Sequence, residues 1–187
     1  MHRACQAQLA AGESAPFRIL TVPCGIPRDV HDFIERLAAE SPELLRLVEY
    51  DGMDLDPAVV DAANVFLAAG AINDPHIIEG NALDASCYSV RSYDFIASTG
   101  LGEFLGDEEL STFYGNVFAA LAPGGTFFTS AAAFDKTSDA LLRTFELNSH
   151  YRTRADLARL LAPQSWAKVE FERHSTGLQT FVRAIKG

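Results

Sequence analysis

Polar or glycine-containing segments recur where apolar runs of this sequence stop, and their residue types could bind a nucleoside. Gly25 follows the run 19–22 and would let a ligand approach the backbone closely. Asp54 ends a second run, and its carboxylate can accept hydrogen bonds from both hydroxyls of a ribose. Asn81 and Ala82 follow a third run and offer an amide side chain and a backbone to an adenine edge. Together these residues predict a site for an adenosine-containing ligand.

A fourth segment, which contains Ser98 and Thr99, follows the apolar run 93–97. In a doubly wound α/β sheet, ligands bind beyond the carboxyl ends of the strands, near the point where the strand order reverses. Because all four segments follow predicted strands, we expect them at one edge of one sheet.

Residues 17–29 predict the first strand and the start of the helix after it. The strand must end near Val22, because Pro23 and Pro27 cannot donate to a β-ladder. Asp29 opens a helix whose apolar residues recur at helical spacing. Strand, glycine loop and helix form the unit that opens nucleotide-type sites in α/β folds.

The rest of the chain repeats this order and ends in two strands with no helix between them. Further strands are predicted at 47–53, 76–79, 93–97, 126–130, 168–173 and 178–185, and helices at 57–67, 107–121, 138–147 and 154–161. Asp56 and Thr153 are predicted N-caps, and 121–125 is a predicted turn. The pattern predicts an α/β doubly wound, mostly parallel sheet with an antiparallel edge hairpin. Residues 1–16 are predicted to be a short lead-in, and 17–187 one domain.

The composition disfavours several classes of protein. Hydrophobic residues make up 48% and charged residues 21% of the chain, which is typical of an ordered globular domain. A net charge of −10 opposes the cationic surface that nucleic-acid binding needs, so no nucleic-acid partner is expected. The uncharged run 110–134 is split at Pro123, so no membrane segment is expected. Three cysteines without metal-ligand spacing, and no signal-peptide pattern, predict a cytoplasmic protein.

Two adenosine-containing cofactors compete for the predicted site: a nicotinamide dinucleotide (NAD) and S-adenosylmethionine. NAD places its pyrophosphate on an open helix N-terminus, normally over the pattern G-x-G-x-x-G. Here prolines occupy two loop positions, and Asp29 and Asp32 put negative charge in the first helical turn, where they would repel phosphate. S-adenosylmethionine carries no phosphate, so these residues favour it.

A family resemblance rests on five motifs taken together. In chain order they are ILTVPCGIPRD, GMDLDP, EGNALD, YDFIASTGLGEFL and LAPGG. Their order and spacing resemble the motifs of class I S-adenosylmethionine-dependent methyltransferases, over residues 17–187. The resemblance implies a Rossmann-like sheet of seven strands, S-adenosylmethionine as cofactor and methyl transfer as activity.

Nine residues are the candidate cofactor-binding residues. They are Pro23, Cys24, Gly25, Asp54, Leu55, Asn81, Ala82, Ser98 and Thr99. The resemblance implies that the first three line the methionine and ribose side of the cofactor, that Asp54 binds the ribose and that Leu55 packs on adenine. It also implies that Asn81 and Ala82 bind the adenine edge, whereas the last two follow from their position after the fourth strand.

Three positions depart from the family pattern. Thr21 stands where the family usually has an acidic residue, and Pro23 and Pro27 stand where it usually has glycines. Another polar group must therefore bind the amino group of the cofactor, and Asp29 is the candidate substitute.

The candidate catalytic residue is Glu103, because it lies just beyond the fourth strand, where a carboxylate could act as a base or anchor an acceptor. Tyr151 and Arg152 belong to a polar patch before the sixth strand and are the candidate substrate contacts. Cys24 has no adjacent basic partner, which indicates a small loop residue rather than a nucleophile. No metal site is predicted.

The predicted function is methyl transfer from S-adenosylmethionine to a small-molecule, non-nucleic-acid acceptor. Two alternatives remain open: a catalytically silent binding module with the same fold and, less favoured, an NAD-dependent oxidoreductase. The lead-in is short for a lid over the substrate. Cover for the site is therefore expected from a homo-oligomer or from a further N-terminal region.

Overall fold

A seven-stranded sheet runs through the residues that the computed structural model describes, namely 5, 16–68, 70, 72, 74–88, 92–146 and 148–187. Its strands are β1 (Phe17–Thr21), β2 (Val48–Asp54), β3 (His76–Glu79), β4 (Tyr93–Ser98), β5 (Leu121–Ala132), β6 (Trp166–Arg173) and β7 (Gln179–Lys186). Their order across the sheet is β3-β2-β1-β4-β5-β7-β6; β7 pairs antiparallel with β5 and with β6, and the other described pairs are parallel. The mostly parallel sheet with an antiparallel edge pair is therefore confirmed. The lead-in predicted for 1–16 lies outside the described residues, except for Cys5 and Pro16.

The helices are α1 (Arg28–Glu40), α2 (Pro42–Leu45), α3 (Pro57–Leu67), α4 (Asp107–Ala120), α5 (Lys136–Thr144) and α6 (Arg154–Leu161), with a short 3₁₀ turn at Ala85–Cys87. The N-caps predicted at Asp56 and Thr153 are confirmed by side-chain hydrogen bonds from the backbone of Ala58 and Asp156. Helix α5 begins earlier than predicted, because Asp135 caps it. No helix within the described ranges is long and apolar enough to cross a membrane.

Apolar side chains cover both faces of the sheet. Side chains alternate along a strand, so neighbouring residues of β1 point to opposite faces. Ile19 packs in the cluster that includes α1 and α3, and Leu20 packs in the cluster that includes α4 and α6. Both are fully buried, which explains why β1 is a continuous apolar run rather than an alternating one.

The predicted turn at 121–125 is wrong in part, because β5 already begins at Leu121. Leu121 pairs with Tyr93, and the register then shifts so that Phe95 pairs with Thr126. The residues between them loop out as a bulge, in which Gly124 has a φ of +76°. The glycines of the motif are thus accommodated inside the strand pairing rather than before it.

Candidate functional site

A cavity of about 560 Å³, here called the central cavity, opens where β1, β2 and β4 end. Parallel strands end at the same edge, so the sheet brings together segments that are distant in sequence. Five of the nine candidate cofactor-binding residues line it: Pro23, Cys24, Gly25, Asp54 and Thr99. The cavity also has an apolar wall of Phe95, Ala97 and Phe128.

A hydrogen bond between two loops shapes this cavity. The backbone N–H of Gly25 donates to Asp54 Oδ2 at 3.0 Å, and that of Asp56 donates to Asp54 Oδ1 at 3.2 Å. Gly25 has a φ of +51°, and a Cβ added to it would have no atom within 4 Å. The Asp54 carboxylate thus fixes both loops and keeps lone pairs for another donor, since a carboxylate has about four acceptor positions.

The start of α1 does not form an open anion site. Pro27 has no N–H, and the N–H of Arg28 donates to the carbonyl of Ile26 at 2.8 Å. Asp29, in the first turn, adds a carboxylate to the same cavity wall. A pyrophosphate would find few free amides and one repelling charge at this helix end.

Two side-chain hydroxyl groups form a hydrogen bond at the end of β1. Thr21 Oγ1 and Tyr50 Oη lie 2.6 Å apart, and burial raises the pKa of the Tyr50 phenol. Nearby, burial raises the pKa of Cys24 to about 11, with the charge of Asp54 acting in the same direction. A thiol with so high a pKa is a poor nucleophile at neutral pH, which supports a structural role for Cys24.

The other four candidate cofactor-binding residues do not line the central cavity. Leu55 follows Asp54 and is 68% exposed. Asn81 Oδ1 accepts from the N–H of Leu83 at 2.9 Å, and the carbonyl of Ala82 accepts from Tyr88 Oη at 2.8 Å. Ser98 is buried, and its Oγ has no partner among the described residues. The acceptor groups of Asn81 and Ala82 are therefore already used in the turn after β3.

Glu103 lies half-buried between β4 and α4 and is not part of the central cavity wall. Its Oε2 is buried without a hydrogen-bond partner in the described structure. Burial raises the pKa of Glu103, opposed by a backbone hydrogen bond and by the charge of Arg152. This carboxyl could hold or release a proton closer to neutral pH than an exposed glutamate.

The geometry corrects the substrate contact predicted for Arg152. Its guanidinium donates to the carbonyls of Gly102 and Leu105, at 2.5 and 2.6 Å, and to the carboxylate of Asp107 at 3.0 Å. Its side chain is only 4% exposed. Arg152 thus holds the segment between β4 and α4 in place, because its donors are turned inward and are not available to a substrate.

Tyr151 lines a second cavity, of about 530 Å³, which we call the edge cavity. It lies between the end of β5, the start of α6 and the β6–β7 pair. Tyr151 is therefore not brought together with the residues of the central cavity.

Several central-cavity residues were not predicted from the sequence. Arg28 follows the predicted loop directly, while Phe95 and Ala97 alternate along β4 and therefore share a face. That alternation was the available signal for the apolar wall. No group of three metal-binding side chains occurs within the part of the chain that the structure describes.

Comparisons with known proteins give structural likeness only. No family model and no curated protein matches the sequence. Among solved structures, the chain is similar to a possible exported protein from Bordetella parapertussis, with 21% identity and a TM-score of 0.72, over 99% of this chain and 66% of that one. It is also similar to magnesium protoporphyrin IX methyltransferase (ChlM) from Synechocystis PCC 6803 with bound S-adenosylhomocysteine (SAH), with 13% identity and a TM-score of 0.65, over 100% and 82%.

A third similar structure is the S-adenosylmethionine-dependent methyltransferase SibL, with 16% identity and a TM-score of 0.67. The chain aligns over 99% of its own length and spans about half of SibL, 54%. At such identities the likeness shows the fold. The chain has the Rossmann-like fold of class I S-adenosylmethionine-dependent methyltransferases.

Proposed function

We propose that this chain binds S-adenosylmethionine in the central cavity and transfers its methyl group to a small-molecule acceptor. The observation that carries the proposal is the junction of Gly25 and Asp54 at the carboxyl ends of parallel strands. In such sheets a backbone that a ligand can approach, beside a carboxylate with free lone pairs, suits a ribose and the chain attached to it.

The residues of the cavity fit the parts of this cofactor. Gly25 leaves space beside the backbone, and Asp54 would accept hydrogen bonds from the ribose hydroxyls. Asp29 would bind the ammonium group of the methionine part, in place of the acid that Thr21 replaces, and Arg28 would bind its carboxylate. Opposite charges on adjacent residues of one helix start match a zwitterion.

Adenine would extend from the cavity towards the ends of β2 and β3. The exposed side chain of Leu55 would gain a partner there, since covering apolar surface is favourable. Asn81 retains its amide N–H₂ for the base, although its oxygen accepts a turn hydrogen bond. Ser98 and Thr99, at the end of β4, would lie on the side of the cofactor that faces this strand.

The cofactor, when bound, supplies a methyl group already activated on a sulfonium. The chain would orient the cofactor and the acceptor and exclude water, which is how proteins assist cofactor chemistry. Glu103 would take the acceptor's proton or anchor the acceptor, because burial raises the pKa of its carboxyl and so makes it a stronger base than an exposed glutamate.

Two structurally similar proteins support this choice of cofactor. ChlM has been crystallised with bound SAH and with bound S-adenosylmethionine, and PigF with SAH. ChlM is a magnesium protoporphyrin IX methyltransferase, which supports a small-molecule acceptor for this chain. The net charge of −10 also disfavours a nucleic-acid acceptor.

A cytoplasmic location is part of the proposal. Cys5, Cys24 and Cys87 are all free thiols, as expected in a reducing compartment. The likeness to a possible exported protein favours the other location. Fractionation of the source cells with an antibody to the chain distinguishes the two.

One observation favours a silent binding module as the second candidate. The carboxylate that the family usually has at the end of β1 is absent, and Thr21 is hydrogen-bonded to Tyr50 instead.

The proposed function is tested by screening small molecules for SAH release from S-adenosylmethionine. Release that depends on one acceptor supports methyl transfer. SAH binding with no release across a broad screen supports the silent module.

A further inference from the structure

The edge cavity is lined by a cluster of three arginines on a chain whose net charge is −10. Its wall contains Arg152, Arg154 and Arg173, together with aromatic rings, and no aspartate or glutamate. The whole chain has 25 acidic and 15 basic residues, so an average wall would carry more acids than arginines. The cavity is therefore a local cationic site on an acidic protein.

The carboxylates on neighbouring elements have other partners. Asp107 accepts from Arg152 and Arg159, Asp139 forms an ion pair with Arg143, and Asp156 accepts from Thr153. Glu172 alternates with Arg173 on β6 and so points to the opposite face of the sheet. Arg152 is thus paired with Asp107, and the positive charge left unpaired on this wall is that of Arg154 and Arg173.

Two of the arginines present free donors to the cavity. Arg154 Cζ lies 5.0 Å from the ring centroid of Phe171, a cation–π contact that fixes the guanidinium. Arg173 donates one N–H to the carbonyl of Gly177 at 3.0 Å. Neither has a carboxylate within 4.0 Å in the part of the chain that the structure describes. Guanidinium groups that are fixed in position and keep free N–H donors can bind a carboxylate through charge-assisted hydrogen bonds.

An aromatic wall faces the same space. Phe134 lies edge-to-face against Tyr151, with ring centroids 5.3 Å apart, and is 64% exposed. A planar ring bound in the cavity would cover this exposed face, which is favourable by area and by ring geometry. At about 530 Å³, the cavity has the size of a small-molecule site.

We propose that the edge cavity binds a small aromatic carboxylate, with its carboxylate between Arg154 and Arg173 and its ring against Phe134 and Tyr151. The proposal concerns a cavity separate from the central one and does not depend on methyl transfer. Arg152 takes no part in this contact, because its guanidinium is bound internally and its charge is paired with Asp107.

The test uses 1-naphthoate and its neutral amide, 1-naphthamide, as probes in calorimetric titrations of the full chain. The two have the same ring, so their difference reports the carboxylate. We expect naphthoate to bind at least about tenfold more tightly than naphthamide, as charge-assisted hydrogen bonds would require. Equal affinities, or no binding of naphthoate, would overturn the proposal.

Variants locate the binding. Arg154→Gln and Arg173→Gln should each weaken naphthoate binding about tenfold or more and leave naphthamide unchanged. The control is Arg183→Gln: Arg183 lies on the other face of the same strand pair, where it contacts Glu170 at 3.2 Å. Melting temperatures verify that each variant is folded. A loss of the same size in Arg183→Gln, or none in the two cavity variants, contradicts the proposed site.

Discussion

The backbone N–H of Gly25 donates to Oδ2 of Asp54 at 3.0 Å and so joins the loop after β1 to the end of β2. This bond links two loops that lie 29 positions apart in the chain. One carboxylate therefore has two tasks, because it fixes the loop and offers its remaining lone pairs to a ligand. Substitutions here should separate binding from folding.

Asp54→Ala should weaken SAH binding by about 1.5–3 kcal/mol, the range for hydrogen bonds to a charged group. It should also lower the free energy of unfolding somewhat, because the N–H groups of Gly25 and Asp56 lose their acceptor. The matched control is Asp56→Ala, which removes an N-cap and should cost about 1 kcal/mol of stability. SAH affinity in the control should be unchanged. Titration calorimetry measures SAH affinity, and urea unfolding measures stability. Equal SAH affinity in wild type and Asp54→Ala would mean that Asp54 only holds the loop in place.

Gly25→Ala should lower stability by about 1–2 kcal/mol, because a φ of +51° is unfavourable for residues with a Cβ. It should weaken SAH binding as well, since the added methyl occupies cavity space. Gly124→Ala is the control: its φ is +76°, its Cβ would also meet open space, and it is not part of the central cavity wall. We expect the two variants to lose similar amounts of stability, and only Gly25→Ala to lose affinity for SAH. A binding loss in both variants would indicate a general folding effect.

The sequence predicted those features that depend on local chemistry. Asp56 and Thr153 were identified as caps because the hydrogen bonds of an N-cap reach only two or three residues along the chain. The end of β1 was located because proline cannot donate to a strand ladder. Five cofactor candidates converge on one cavity because the parallel order fixes the edge at which strands end.

The predictions that were wrong concern features that depend on contacts between residues distant in sequence. Arg152 was predicted to contact a substrate, yet it is bound to Gly102 and Leu105, which lie 50 and 47 positions away. No local pattern shows such partners. Leu121 pairs with Tyr93 only because the chain loops out between them, and propensity at 121–125 indicates just the glycine turn.

Arg152→Met should lower the free energy of unfolding by about 1–3 kcal/mol, because the buried carbonyl of Gly102 and the partly buried carbonyl of Leu105 lose their donor. The control, Arg159→Met, removes an exposed partner of the same Asp107 and should cost clearly less. Urea unfolding of the two variants measures the difference. If both variants have the stability of the wild type, the inward hydrogen bonds of Arg152 do not stabilise this segment.

Glu103→Gln should become increasingly stabilising, relative to wild type, as the pH rises above the ordinary pKa of a glutamate and through the raised pKa of folded Glu103. Burial raises the pKa of Glu103, so the unfolded chain loses this proton at a lower pH than the folded chain. The folded state then binds more protons, and wild-type stability falls as the pH rises through the folded pKa. Glutamine has no charge to bury. Melting temperatures of wild type and Glu103→Gln, measured across this pH range, test the prediction. A difference in melting temperature that does not change with pH would show that the pKa of Glu103 is not raised.

The same variant tests the catalytic proposal once an acceptor is known. Glu103→Gln should lower the methyl-transfer rate by about 10²–10⁴-fold, the usual effect of losing a general base. SAH affinity should be unchanged, because Glu103 lies outside the central cavity wall. Single-turnover rates and calorimetry measure the two quantities. A variant as fast as wild type would exclude Glu103 from the reaction.

The identity of the cofactor is tested most directly by titrating the purified chain with SAH and with NAD under the same conditions. We predict that SAH binds in the central cavity and that NAD does not. The reason is the start of α1, where Pro27 lacks an N–H, the N–H of Arg28 is bound to Ile26 and Asp29 repels phosphate. SAH binding that is weakened in Asp54→Ala and unchanged in Asp56→Ala is the expected result. Binding of NAD more tightly than SAH would contradict the account.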